Sequence, residues 1–253
     1  MQEKPQTPER CKEMNKINIE NMLELPYAVE EAINRLRINI SFLGSDIRKI
    51  MVISTFSNEG KSFIACQLWR QMAEMGKKSI LLDMDLRNSV MVEKYNMTLN
   101  GNSKFPGTSD YLAGNVSLEE AILQTQFEKG DILPNVEQVV NPSLLIESRR
   151  FREMLSTMTE TYRYVFVDTP PLELVSDGEK IGSLCDGAIL VVRGGSTSKR
   201  MVQNSMRQLE RSGCPVLGVV LNRVETSKGG YYSKKYGYGY GYGYGYGYGE
   251  KKD

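Results

Sequence analysis

Short apolar runs alternate along this chain with amphipathic stretches. Aliphatic and β-branched side chains concentrate in Lys49–Ser54 (KIMVIS), Ser79–Asp83 (SILLD), Gly130–Leu133 (GDIL), Arg163–Asp168 (RYVFVD), Gly187–Val192 (GAILVV) and Pro215–Asn222 (PVLGVVLN). Each run is short and largely continuous, the pattern of a strand covered on both faces. Between the runs lie segments with helical spacing: Tyr27–Asn39, Ser62–Met75, Ser117–Gln126, Ser143–Thr159 and Ser198–Ser212. In the first of these, Ala28, Ala32, Ile33, Leu36 and Ile40 share one stripe. Glu30 and Glu31 come early and Arg35 and Arg37 late, the order that suits the helix dipole. Strands alternating with helices predict an α/β fold, a doubly wound, mainly parallel sheet with helices on both faces.

The two ends break this pattern. Residues 1–25 are polar and charged, with Pro5 and Pro8, and read as a flexible arm before a domain over 26–226. From 227 to 253 the chain runs into a Gly-Tyr repeat. It carries Tyr231, Tyr232, Tyr236, Tyr238, Tyr240, Tyr242, Tyr244, Tyr246 and Tyr248 out of 14 tyrosines in the whole chain. Glycine at every second position leaves too little side chain for a packed strand and too much backbone entropy for a helix, so this tail is expected to be disordered. A flexible chain of about 25 residues spans roughly 25–30 Å, enough to reach a neighbouring subunit.

Composition narrows the chemistry. With 32 Lys plus Arg against 31 Asp plus Glu, the net charge of +1 gives no general field for nucleic acid or acidic lipid, and no nucleic-acid partner is expected. The chain has no histidine, which removes Ser-His-Asp and Cys-His catalysis, His-ligated zinc and histidine pH switches. Cys11, Cys66, Cys185 and Cys214 are far apart and read as small buried residues or free thiols in a reducing compartment. No apolar run approaches the ~18 residues of a membrane span. The expectation is a cytoplasmic protein that meets the membrane only through a partner.

The candidate chemistry lies at strand ends. The run Lys49–Ser54 leads into Thr55-Phe56-Ser57-Asn58-Glu59-Gly60-Lys61-Ser62-Phe63. Its second half is that of a P-loop, where backbone N–H groups and a helix N-terminus cradle phosphate. The lysine reaches the β- and γ-phosphates, and the hydroxyl ligates Mg²⁺. Threonine stands at position 55, where the full motif has its first glycine. The second strand ends Asp83-Met84-Asp85-Leu86-Arg87, and the fourth ends Asp168-Thr169-Pro170-Pro171. Carboxylates at the carboxyl ends of parallel strands project where ligands bind in open α/β folds. An aspartate after an apolar strand is the usual Mg²⁺ partner of a P-loop.

These elements, in this order and followed by a tyrosine cluster, resemble the bacterial tyrosine kinases, P-loop kinases of capsular and exopolysaccharide synthesis. The likeness covers residues 27 to 253 and includes Thr108–Gly114 (TSDYLAG), Asn141–Leu144 (NPSL) and Leu217–Asn222 (LGVVLN). The resemblance implies a Mg²⁺-ATP-dependent tyrosine autokinase that phosphorylates the tail between subunits. It implies that Asn58, Glu59, Gly60, Lys61, Ser62 and Phe63 cradle nucleotide and that Ser62, Asp83, Asp85 and Asp168 hold the metal. Asp83 would take the proton of the attacking hydroxyl. Which aspartate is base and which is ligand stays open. Arg87 either stabilises phosphate charge or serves as a structural ion-pair partner. Asn222, ending the last strand, is a candidate adenine contact. The resemblance also implies a homo-oligomer, a separate transmembrane activator and a resetting phosphatase. The family's oligomerisation element, Glu-x-x-Arg-x-x-Arg, aligns as Glu31-x-x-Asn34-x-x-Arg37, with Arg35 turned about 100° away. Ser57-Asn58 replaces the family's usual Pro-Gly.

Two other readings share parts of this pattern. Partition- and division-site-type ATPases carry the same Walker elements, with a signature lysine where this chain has Phe56. A nucleotide-bound switch, with the tail as its functional part, needs no turnover.

Overall fold

The computed structural model describes residues 16–22, 24–173 and 176–224. The strands are β1 (Ile17–Ile19), β2 (Lys49–Ser54), β3 (Ser79–Asp83), β4 (Met97–Leu99), β5 (Leu123–Gln124), β6 (Gly130–Leu133), β7 (Tyr164–Asp168), β8 (Gly187–Arg193) and β9 (Val216–Asn222). The helices are α1 (Tyr27–Ser41), α2 (Lys61–Glu74), α3 (Met91–Lys94), α4 (Thr108–Ala113), α5 (Leu118–Ala121), α6 (Ser143–Ile146), α7 (Arg149–Thr161), α8 (Asp177–Gly182) and α9 (Lys199–Arg211).

Seven strands form one sheet in the order β5-β6-β3-β7-β2-β8-β9. All its neighbours pair in parallel except β5, which runs antiparallel to β6. The six apolar runs read from the sequence are the six parallel strands. Alternate residues feed two cores. Ile50, Val52, Leu81, Phe166, Ile189 and Val191 face one layer with Leu68 and Trp69 of α2. Met51, Ile53, Ile80, Leu82, Val165 and Val167 face the other with Phe151, Met154 and Met158 of α7. Burial on both faces is why the central strands β2, β3, β7 and β8 are apolar at nearly every position, whereas β9, at the sheet edge, leaves Val219 and Leu221 exposed.

Three local expectations give way. Ser117–Gln126 is not one helix: Ser117 caps only the short α5, its hydroxyl accepting the Glu120 N–H and its own N–H donating to the Glu120 carboxylate, and Leu123 then turns inward as edge strand β5. Ser143–Thr159 is two helices, because the Ser148 hydroxyl accepts the Phe151 N–H and starts α7 afresh. The polar N-terminal stretch contains β1, which pairs with β4 and buries Ile17 and Ile19 in the α2-side core. Three cysteines, Cys66, Cys185 and Cys214, are buried and free; Cys11 lies outside the described residues. The compact unit built on the sheet runs to Arg223. Of the expected tail, residues 227 to 253 lie outside the described residues, as do residues 1–15 of the arm. Among the described residues no helix is long and apolar enough to cross a membrane.

Candidate active site

The sheet order brings the motif strands together. β7 lies between β3 and β2, and Asp83 and Asp168 are register partners on adjacent parallel strands. Their Cα atoms are therefore one strand spacing apart, roughly 5 Å. β2 leaves this same edge into the phosphate loop.

The loop turns through two left-handed residues, Asn58 at φ 61° and Gly60 at φ 101°. Asparagine tolerates that region better than most side chains, so the loop forms without a glycine at 58. At position 60 glycine is required twice over. A Cβ there would also meet the Asn222 side-chain nitrogen at 2.1 Å. Asn222 donates to the Glu59 carbonyl at 2.8 Å. Its amide is thus used to strap β9 to the loop, where the sequence suggested an adenine contact.

Glu59 is buried and its carboxylate shapes the loop. It accepts the Phe56 N–H at 2.8 Å, the Arg193 N–H at 3.0 Å and the Thr197 hydroxyl. With its carboxylate buried and taken up by these donors, its backbone is what it offers to the cradle. The loop then opens α2 at Lys61 and Ser62.

Lys61 Nζ reaches Asp85 Oδ2 at 3.0 Å and lies 3.4 Å from the Ser62 hydroxyl. Burial disfavours its charge, but Asp168, Asp85 and Asp83 outweigh that and hold the ammonium above the usual lysine range. Asp83 is wholly buried. Its Oδ1 accepts the Asp85 N–H at 3.1 Å, and its Oδ2 accepts the Ser89 hydroxyl and, at 3.4 Å, the Asn135 N–H. Burial, reinforced by the nearby Asp168, pushes its carboxyl up to about 7. Burial also raises Asp168, against the pull of Lys61 and the Ser62 hydroxyl. Asp168 Oδ1 is buried without a hydrogen-bond partner.

A cleft of about 190 Å³ lies over these groups, lined by Ser57, Asn58, Gly60, Lys61, Ser62, Phe63, Asp85, Arg87, Asn88, Val90, Lys94, Pro170, Pro171 and Arg223. Of the three aspartates only Asp85 lines it; Asp83 and Asp168 lie beneath. Arg87 is held by Asp177 at 2.8 Å and the Val140 carbonyl at 3.2 Å, the structural alternative of its two readings. Sequence reasoning missed Ser89, Lys94 and Arg223. Ser89 follows Arg87 by two residues and had no motif to mark it.

Mg²⁺ suits the donors present. Among the described residues no three carboxylates or thiols form a cage. Mg²⁺ needs none, since it binds nucleotide sites through one or two carboxylates plus phosphate and water. The unpartnered oxygen of Asp168 beside the Ser62 hydroxyl is a hard-oxygen pair of that kind.

Known proteins narrow the class. A sequence model of the CobQ/CobB/MinD/ParA nucleotide binding domain matches residues 50–234. Tyrosine-protein kinase CpsD of Streptococcus agalactiae is 32% identical over 213 residues, 84% of this chain and 91% of that protein. The chain belongs to the bacterial tyrosine-protein kinases. The kinase domain of Escherichia coli ETK, another tyrosine kinase, superposes with a TM-score of 0.69 at 28% identity, over 79% of each chain. The septum site-determining protein MinD of Pyrococcus horikoshii, complexed with Mg-ADP, reaches only 0.58 at 27% identity, over 72% of each chain. The kinase family thus shares the nucleotide-binding fold with the positioning ATPases, and the likeness to the kinases is greater.

Proposed function

We propose that this tyrosine kinase transfers the γ-phosphoryl group of ATP to tyrosines of its own tail, Tyr231 to Tyr248, carried by a neighbouring subunit. The observation that carries this reading is the convergence of Lys61, Ser62 and Asp85 on one cleft at the loop that opens α2, with Asp168 beneath it. Ser62 and Asp168 would hold Mg²⁺, and the metal would supply neutralisation of phosphate charge. The loop N–H groups and Lys61 hold the phosphates themselves. A phosphate that draws Lys61 away from Asp85 leaves that carboxylate free in the cleft. Asp85 then takes the proton from the attacking hydroxyl, whose unperturbed pKa is about 10. Asp83, bound up with Ser89 and the Asp85 N–H, fixes the strand end that presents Asp85. Phosphoryl transfer depends mostly on such positioning and charge neutralisation.

The wider role follows the kinase relatives: control of capsular or exopolysaccharide synthesis, from the cytoplasm, by an oligomer recruited to the membrane by a transmembrane activator and reset by a phosphatase. Each phosphate adds about −1.5 to −2 charge at pH 7, enough to drive a tail out of an acidic site. The test uses two variants in one tube. A chain truncated after Ser227 keeps the cleft and lacks acceptors; full-length Lys61→Met keeps acceptors and lacks the lysine. Phosphotyrosine on Lys61→Met, formed only when the truncated chain and Mg²⁺-ATP are present, is the expected result. Its absence, with the parent still modified, would show that transfer stays within one chain.

A further inference from the structure

The cations around the cleft are not equivalent. Lys61 is paired with Asp85 at 3.0 Å and Arg87 with Asp177 at 2.8 Å. Lys94, at the end of α3, lines the same cleft, yet among the described residues its ammonium has no carboxylate partner and no hydrogen bond. Its ammonium stands over two ring faces instead, 5.9 Å from the centroid of Phe63 and 5.2 Å from that of Tyr95. Phe63 directly follows the candidate metal ligand Ser62, so this contact sets Lys94 beside the start of α2. Partial desolvation against the cleft wall, with Arg223 and Lys61 adding to it, pushes Lys94 below the usual lysine range, while Cys66 and Asp168 act in the opposite sense.

Lys94 is exposed at the wall of the cleft, so an anionic group that enters meets a cation whose charge no carboxylate shares, and contact with it breaks no existing ion pair. Cation–π contact holds the ammonium in place without neutralising it. The groups already paired have given up part of that capacity; Lys94 has not. Resting on the nucleotide reading above, we propose that Lys94 is a second phosphate-binding lysine that recognises the terminal phosphate of the triphosphate. It reaches that phosphate from α3 while Lys61 holds the group from the loop. It is therefore the residue by which the cleft tells ATP from ADP, and the one that keeps the γ-phosphoryl group neutralised as it moves to the acceptor.

The proposal is tested by equilibrium binding of ADP and of a non-hydrolysable ATP analogue, with Mg²⁺, to the parent, Lys94→Met and Lys94→Arg chains. Thermal melting of each checks the fold. Loss of one charge-assisted contact predicts about ten-fold weaker binding of the triphosphate to Lys94→Met, with ADP changed less than about two-fold and the preference largely restored in Lys94→Arg. Equal weakening of both nucleotides, or no weakening of either, in a folded Lys94→Met chain overturns the proposal and leaves the kinase reading intact. A parent chain that binds neither nucleotide overturns both.

Discussion

Lys61 Nζ lies 3.0 Å from Asp85 Oδ2, so the phosphate-loop lysine shares its charge with a carboxylate two strands away in the sheet. Phosphate entering the cleft competes with Asp85 for that lysine, and Asp85 also repels it. Asp85→Asn removes both effects. Mg²⁺-free ADP binding should therefore tighten, by about three- to ten-fold, while Mg²⁺-ATP-dependent autophosphorylation falls by at least about a hundred-fold. Calorimetric titration beside a phosphotyrosine assay checks the two directions; autophosphorylation at the parent rate would remove Asp85 from the mechanism.

Glu59 is a structural member of the phosphate loop. Its carboxylate answers two backbone N–H groups, of Phe56 and Arg193, and the Thr197 hydroxyl. Glu59→Ala leaves these donors without their partner. A loss of about 2–4 kcal/mol of stability is expected, read by urea denaturation. Nucleotide affinity should fall with it, since the loop relaxes away from its left-handed turn at Asn58 and Gly60.

Asp83 makes the nucleotide-free protein sensitive to pH. Burial raises its carboxyl from an ordinary value near 3.8 to about 7 in the folded chain. The folded state then holds its proton more tightly than the unfolded one. This contribution to stability is fully present below the unfolded value and is lost as pH rises through about 7. Melting temperature in the absence of Mg²⁺ and nucleotide should fall between about pH 4 and pH 7 relative to Asp83→Asn, which lacks the titration. Parallel profiles for the two proteins would contradict this.

Much of the scaffold was legible because its central strands are buried on both faces and therefore apolar at nearly every position; Ser79–Asp83 and Gly130–Leu133 end where their patterns end. The edge strand Leu123–Gln124 was not legible. Only Leu123 points inward, and the stretch around it reads equally as the tail of a helix. The break before Arg149 rests on one hydroxyl cap, Ser148, that looks ordinary inside a helical pattern. In the site, residue types and strand-end positions pointed to Lys61, Ser62 and the three aspartates. Their division into one carboxylate at the cleft and two beneath it depends on depth, which no local pattern encodes. The structural role of the Glu59 carboxylate, and Lys94 altogether, escaped for a related reason. The partners of Glu59 at Arg193 and Thr197 lie far along the chain, and Lys94 meets Phe63 only once α3 has folded back over the start of α2.

The central claim is that this cleft phosphorylates the chain's own tyrosine tail. Intact mass of phosphatase-treated protein, taken before and after incubation with Mg²⁺-ATP, tests it most directly. The parent should gain several increments of about 80 Da, one for each phosphate added. Lys61→Met and the chain truncated after Ser227 should gain none. A parent that hydrolyses ATP yet keeps its starting mass, with or without an activator's cytoplasmic segment, would contradict the account.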